Sequence, residues 1–276
     1  MTVSFKPNYE IEDAESFIKF VSNEIKNKKA AYYEILDEQG DMVGGFRLTK
    51  NVITFFFLNK HLPEEEEIAR KIFELLGSQD KIYIFTKERY TSIFRKTNFD
   101  VDHQRYSMIK KPLHAFYKIT VPEEYSIRPF SKNMLPEVVK VLLDAYAGTL
   151  DEKIFGKSNE KQLLKSLKEL VDGEVEDFTF LQKHSFLAYW RDEVVGVIMI
   201  TYYMKSPLVY DMAVKKAHQG RGLGKALLQT AINSLSKEYN ELVLYVTRGN
   251  TRAEKLYNSL GFKQLSDDLV ALVKHN

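Results

Sequence analysis

Residues 208–225 read Leu-Val-Tyr-Asp-Met-Ala-Val-Lys-Lys-Ala-His-Gln-Gly-Arg-Gly-Leu-Gly-Lys: an apolar run suited to a strand, a short polar connection, three alternate glycines and the start of a helix. Gly220, Gly222 and Gly224 let the backbone come close to an anion, and the free N–H groups at a helix start point at it. The chemistry on offer is the holding of a pyrophosphate. A second stretch with chemical potential begins at Asn250 and reads Asn-Thr-Arg-Ala-Glu-Lys-Leu-Tyr-Asn-Ser-Leu-Gly-Phe. Asn250 suits a helix N-cap and Gly261 the left-handed position past a helix end. Asn250, Ala253 and Tyr257 then share one helix face, which places a phenol hydroxyl, a proton donor at neutral pH, beside the amide cap.

The glycine spacing discriminates between ligands. A P-loop needs G-x-x-x-x-G-K-[ST], but Gln219 stands at its first glycine and Ala226 follows Lys225. The dinucleotide fingerprint G-x-G-x-x-G would put its third glycine at Lys225, and no acid ends the next strand at Thr247. Gln219-Gly-Arg-Gly-Leu-Gly224 instead resembles the [RQ]-x-x-G-x-[GA] loop by which acetyltransferases of the GNAT superfamily bind the pyrophosphate of coenzyme A. The run from Asn250 to Phe262 resembles the N-x-x-A-x-x-x-Y-x-x-x-G-F segment of many members, at the expected place after loop, helix and strand.

The resemblance covers the C-terminal half from Ile127-Arg-Pro onward and implies an acetyl-CoA-dependent N-acetyltransferase. Acetyl-CoA would lie between two splayed strands ending at Val214 and Val246. The backbone of Met212, Ala213 and Val214 would hold the pantetheine arm and polarise the acetyl carbonyl. Gln219, Gly220, Arg221, Gly222, Leu223, Gly224 and Lys225 would hold the pyrophosphate, and Asn250 with Ala253 would contact the cosubstrate from the following helix. Tyr257 is the expected general acid for the departing thiolate and Asp211 the expected base for the amine. Strand alternation puts Asp211 on one face with Val209 and Ala213, opposite Tyr210, Met212 and Val214. Tyr146, Asp151 and Tyr202 are the expected acceptor contacts. The acceptor is expected to be a primary amine of a small molecule or peptide, attacking directly in a ternary complex. Alternatives are a non-catalytic acyl-CoA sensor, or the same fold transferring a different acyl group.

The whole chain bounds these readings. Its 276 residues, 44% hydrophobic and 28% charged, suit two globular domains. There is no cysteine, which excludes disulfides, thiolate metal sites and a cysteine nucleophile. A net charge of +2 argues against nucleic acid as a partner. The N-terminus carries no leader pattern and no apolar run is long enough for a membrane span, so a cytoplasmic protein without membrane contact is expected. The six histidines show no metal-ligand spacing, and no metal is expected.

The positioning elements alternate between strands and helices, implying an α/β or α+β fold: two GNAT-like domains, each a mixed central sheet flanked by helices. In the first half a helix is expected over 14–25, strands over 31–36, 42–48 and 52–58, a helix behind Pro63 ended by Gly77, a strand over 81–86, a helix over 88–96 and a strand near 106–109. In the second half strands are expected over 125–128, 185–190, 194–203, 208–214 and 242–246. Helices are expected over 134–146, 160–171, 222–235 and 251–260, with final strands around Phe262 and Leu269. The domains would be 1–110 and 123–276, joined by a linker over 111–122.

A strand, a polar turn and Val-Gly opening the next strand occur in both halves, around Gly44 and Gly196. Aligning Asn98-Phe99 with Gly261-Phe262 sets Phe94 against Tyr257, Tyr90 against Ala253 and Lys87 against Asn250. The acid's hydroxyl is missing, and where the glycine loop would fall the first half has residues 59–67, with no glycine and four glutamates that repel a pyrophosphate. The first half is therefore expected to be a degenerate domain without cofactor that shapes the substrate cleft, a tandem arrangement resembling that of mycothiol synthases.

Overall fold

The computed structural model describes residues 4–7, 31–37, 39–49, 52–58, 65–76, 81–97, 99–113, 116–152, 159–175, 178–203, 205–265 and 269–275. The helix expected over 14–25, Pro63 and Gly77 lie outside these residues. The chain forms two compact units, one of Met1–Tyr106 with Asp267–Asn276 and the other of Ser107–Ser266.

The first unit contains β1 (Ser4–Pro7), β2 (Ala31–Leu36), β3 (Met42–Thr49), β4 (Val52–Leu58), α1 (Glu65–Leu76), β5 (Lys81–Lys87), α2 (Thr91–Arg95) and the first part of β6 (Asp100–Lys110). Its strands run in the order β1-β2-β3-β4-β5-β14-β6, with β14 (Leu269–His275) supplied by the C-terminus. Pairing is antiparallel except between β4 and β5. Ile68, Ala69 and Ile72 on α1 and Ile93 and Phe94 on α2 bury against Ile53, Ile82, Ile84, Val270 and Leu272 of the sheet. The helix expected over 88–96 is a 3-10 turn, Glu88–Tyr90, before the short α2.

The last strand thus groups with the first unit, whereas the sequence reading attached it to the second domain. Its pairing explains the difference: Leu269–His275 hydrogen-bonds to β5 on one side, from Lys87 to Lys81, and to residues 100–105 of β6 on the other. Periodicity marks a segment as a strand but carries no information about which edge will accept it.

The second unit holds β7 (Tyr125–Pro129), α3 (Leu135–Tyr146), α4 (Glu160–Val171), β8 (Thr179–Phe180), β9 (Phe186–Trp190), β10 (Glu193–Tyr203), β11 (Ser206–Val214), α5 (Leu223–Leu235), β12 (Leu242–Thr247), α6 (Thr251–Ser259) and β13 (Lys263–Gln264). Its main strands run β12-β11-β10-β9-β7, antiparallel except for β11 with β12. Pro136 lies in the first turn of α3, where its missing N–H costs nothing. The α4 N-terminus has a complete capping box between Asn159 and Gln162. Val138, Val139 and Leu142 of α3 and Leu167 and Leu170 of α4 bury with Val197, Met199 and Ala213 of one sheet face. The other face packs on α5, where a Cβ at Gly196 would stand 3.2 Å from a Leu227 methyl. Each such buried aliphatic side chain contributes about 1.5–3 kcal/mol.

Leu272 is fully buried in the core of the first unit. Leu272→Ala is expected to lower stability by about 2–5 kcal/mol in chemical denaturation. A loss below about 0.5 kcal/mol, the usual size of a surface substitution, would show that the final strand does not belong to that core.

Candidate functional site

The strands β11 and β12 run in parallel but share registered pairs only at Leu208 with Val243 and Val209 with Leu244. β11 continues to Val214 and β12 to Thr247, so beyond those pairs the two strands part. On its other edge β11 stays paired with β10, Val214 opposite Gly196, Ala213 opposite Val197 and Met212 opposite Ile198. Backbone groups of residues 210–214 that face the gap are thus left for something other than β12, and such groups demand partners.

A β-bulge lies at the start of the gap. Met199 pairs with Asp211 and Ile200 with Val209, which leaves Tyr210 as the extra residue. Cross-strand partners share a face, so Asp211 lies with Met199 and Ala213 on the α3 side while Val209 lies with Ile200 on the other. The simple alternation that grouped Val209 with Asp211 therefore breaks at Tyr210. Tyr210 packs against the same core, its ring edge-on to Phe178.

Asp211 is 7% exposed and accepts a hydrogen bond from the Tyr146 hydroxyl at the end of α3. A buried carboxylate is costly unless it is met in this way. Burial first, then the charge and hydrogen bond of Asp211, push the Tyr146 phenol well above its ordinary pKa, with further contributions from Asp151 and Tyr257. Tyr146 therefore remains a protonated donor throughout the working range. Tyr257, on α6 and 8% exposed, lies within electrostatic reach of Tyr146 and has its ring 5.9 Å from that of Phe262.

The glycine loop follows β11 at the open end of the gap. Gly220 (φ +78°) and Gly222 (φ +81°) take left-handed backbone, and around both a Cβ would meet only open space. Their requirement is conformational, not steric. Gly222 is the N-cap of α5 and makes no side-chain cap, while the first intrahelical bond in its turn runs from Ala226 N–H to Gly222 O at 3.0 Å. The N–H groups of Leu223, Gly224 and Lys225 thus face outward at the positive end of a thirteen-residue helix, as an anion site requires. Leu223 is buried and anchors the loop, whereas Arg221 and Lys225 are exposed. Arg221 lies 6.0 Å over the Tyr125 ring. Gln219 is fixed on both sides, donating to Val214 O at 2.8 Å and accepting from Arg252. Asp144 of α3 accepts from Lys216 N at 2.6 Å and holds the connection.

Asn250 accepts from Ala253 N at 3.2 Å as the cap of α6. Its amide donates to Asp151 at 2.9 Å, and Asp151 also accepts from the Thr247 hydroxyl. The structure thus brings together Tyr146, Asp151, Asp211, Asn250 and Tyr257. Tyr202 stands apart: its hydroxyl donates to Lys205 O at 2.9 Å and its ring lies 6.0 Å from Tyr239, beyond α5. Thr247 was passed over in the sequence, where it marked only a strand end. Its position three residues before a capping asparagine is the signal that could have found it. Among the described residues no group of three or more His, Cys, Asp or Glu side chains is placed to hold a metal.

Residues 155–262 match the model of the Acetyltransferase (GNAT) family. Mycothiol acetyltransferase from Renibacterium salmoninarum is 44% identical over 61 residues, covering 22% of this chain and 18% of that protein. [Ribosomal protein bS18]-alanine N-acetyltransferase from Haemophilus ducreyi is 32% identical over 77 residues, 28% of this chain and 53% of that protein. The matches therefore span about half or less of these relatives. A GCN5-related N-acetyltransferase from Sphaerobacter thermophilus has a similar fold, with TM-score 0.63 at 15% identity over 88% of this chain and 80% of that one. So does a tandem GNAT protein from the clavulanic acid biosynthesis pathway, with TM-score 0.59 at 11% identity over 99% and 98%.

Two glycines of the loop separate conformation from space. Gly222→Ala is expected to cost about 1–2 kcal/mol, because an L side chain must enter left-handed backbone. Gly224→Ala, inside α5 with a Cβ at 3.8 Å from Leu256, is expected to be neutral or to gain up to ~1 kcal/mol. Chemical denaturation of both variants checks this, and equal effects would contradict the assigned backbone.

Proposed function

We infer that the C-terminal half of this chain, whose residues 155–262 match the GNAT acetyltransferase family, transfers an acetyl group from acetyl-CoA to a primary amine of a small molecule or peptide. The observation that carries this reading is the parting of β11 from β12 beside an uncapped helix start. An extended pantetheine arm matches a strand edge that is no longer laddered to β12, and a pyrophosphate matches the outward N–H groups of residues 223–225 with Arg221 and Lys225 nearby. The cosubstrate supplies an activated thioester.

In the proposed reaction the backbone of Met212, Ala213 and Val214 holds the arm and the carbonyl oxygen, so that negative charge developing on that oxygen meets fixed N–H groups. The neutral amine attacks within a ternary complex. The new C–N bond forms, the C–S bond breaks, Tyr257 donates its proton to the departing sulfur, and Asp211 takes the proton released by the amine. Tyr146 keeps Asp211 oriented while it does so. The chain has no cysteine, which favours direct transfer over a cysteine-linked acyl intermediate.

The first half supports a tandem with one active domain. There too the parallel pair, β4 and β5, is registered only at Val52 with Tyr83 and Ile53 with Ile84. Gly44 opposes Leu58 as Gly196 opposes Val214. At Leu58, however, the Tyr90 hydroxyl donates to the backbone oxygen and accepts from the backbone nitrogen, both at 3.3 Å. A side chain of the domain itself thus occupies the backbone that corresponds to the end of β11. Phe94, aligned with Tyr257, is fully buried edge-on to Phe56 and Phe99. We therefore assign the cosubstrate to the second half alone.

Thiol release from acetyl-CoA across a panel of primary amines tests the reading. Tyr257→Phe is expected to lower kcat by about 10²–10⁴-fold while acetyl-CoA still binds. Binding without turnover on every amine would support an acyl-CoA sensor instead. Calorimetric titration is expected to give one acetyl-CoA per chain, and two would overturn the assignment of the first half.

A further inference from the structure

Resting on the acyl-transfer reading above, we propose that Asp151 is a positioning residue that ties the two sides of the open strand pair together and so sets the separation of Asp211 from Tyr257. Asp211 stands on β11, and Tyr257 stands on the helix that follows β12. These strands share registered pairs only at Leu208 and Val209, before the bulge, so the sheet alone leaves their far ends unconnected. A short strap from the end of α3 makes the connection.

The strap begins at Tyr146, whose hydroxyl donates to Asp211. Five residues later Asp151 accepts from the Thr247 hydroxyl, at the end of β12, and from the Asn250 amide, at the cap of α6. The segment between is stiffened by its own bonds. Thr149 donates to Tyr146 O through its N–H at 3.0 Å and its hydroxyl at 2.7 Å, Glu152 N donates to Thr149 O at 3.2 Å, and Gly148 N donates to the Glu152 carboxylate at 2.8 Å. Leu150 reaches across to Gly249, where a Cβ would stand 3.5 Å from its methyl. One end of the strap therefore grips the base and the other grips the helix that carries the acid.

Aspartate suits this place because an ionised carboxylate is acceptor-only and can meet two donors at once, one on each oxygen. The Asn250 oxygen serves the cap of α6 by accepting from Ala253 N, which turns its amide group toward Asp151 as a donor. An asparagine at 151 could keep the Asn250 amide only by turning its own amide to Thr247, whose hydroxyl would then have to accept, exchanging a charge-assisted bond for a neutral one. The consequence for the reaction is geometric: loss of the tie lets α6 and the strap drift, and a misplacement of about 1 Å costs on the order of 10²-fold in rate.

The test uses the full chain with Asp151→Ala, Asp151→Asn, Thr247→Val and the Asp151→Ala/Thr247→Val pair. We expect kcat for Asp151→Ala to fall about 10–100-fold. KM for acetyl-CoA should change by less than about threefold, because the loop at 219–225 is untouched. Thr247→Val should lose less, and the pair no more than Asp151→Ala alone, since both act through one tie. Amide hydrogen exchange of residues 148–152 and 251–253 is expected to quicken in Asp151→Ala and to a smaller degree in Asp151→Asn, with other segments unchanged. Turnover by Asp151→Ala within twofold of the unsubstituted chain, unchanged exchange in both segments, or additive losses in the pair would each overturn the proposal. Should the unsubstituted chain transfer acetyl to no amine, the functional reading fails by itself, and the exchange measurement still decides whether Asp151 holds the strap.

Discussion

Two neighbouring parallel strands that stop pairing partway along set the problem that the rest of the second unit answers. Backbone N–H and C=O groups withdrawn from a ladder need other partners, and leaving them buried and unmet costs about 1–3 kcal/mol each. β11 and β12 part after Val209 and Leu244. Beyond that point β11 stays in register with β10, and the bulge at Tyr210 turns Asp211 under the end of α3 at the same point. The gap can remain open because three features frame it: the pinned loop of Gln219, the cap at Asn250 and the strap that ends at Asp151.

The first unit meets the same constraint with its own residues. Its parallel pair also parts after two registered positions, but the hydroxyl of Tyr90 bonds both backbone groups of Leu58, and Phe94 packs edge-on against Phe56. A gap closed by a side chain gains a packed core, and a gap left open gains room for a ligand. The two halves share the Val-Gly strand opening, with Gly44 opposite Leu58 and Gly196 opposite Val214, and differ in the side chains beside it.

Much of this was legible in the sequence where the requirement is local. Gly220 and Gly222 announce themselves because few other residues tolerate their backbone, and Asn250 and Gly261 because helix ends favour those types. Most strand and helix spans follow from periodicity, and the structure shifts their ends by only a residue or two. What escaped is non-local or a matter of a single residue. The bulge at Tyr210 leaves no mark in the pattern, yet it moves Asp211 to a different face from Val209. The union of Asp151 with Thr247 and Asn250 joins positions about a hundred residues apart, and the placement of the final strand between β5 and β6 depends on which edges are open. Tyr202, expected as an acceptor contact, has its ring beside Tyr239 and its hydroxyl on Lys205 O instead.

Charge completes the logic of the open gap. On the α3 side Asp211 and Asp151 are both drawn into hydrogen bonds with neutral donors, so in those contacts their negative charge is oriented and not cancelled by a cation. On the α5 side Arg221, Lys225 and Arg252 cluster around a helix start that is itself positive. Exposed cations are screened over about 8–10 Å at ordinary ionic strength, so each side governs its own surroundings and not the whole cleft. In the proposed reaction a negatively charged cosubstrate tail would meet the cations beside the helix start, and a positively charged amine would meet the carboxylates on the α3 side. Asp211, the base of that proposal, lies on the α3 side.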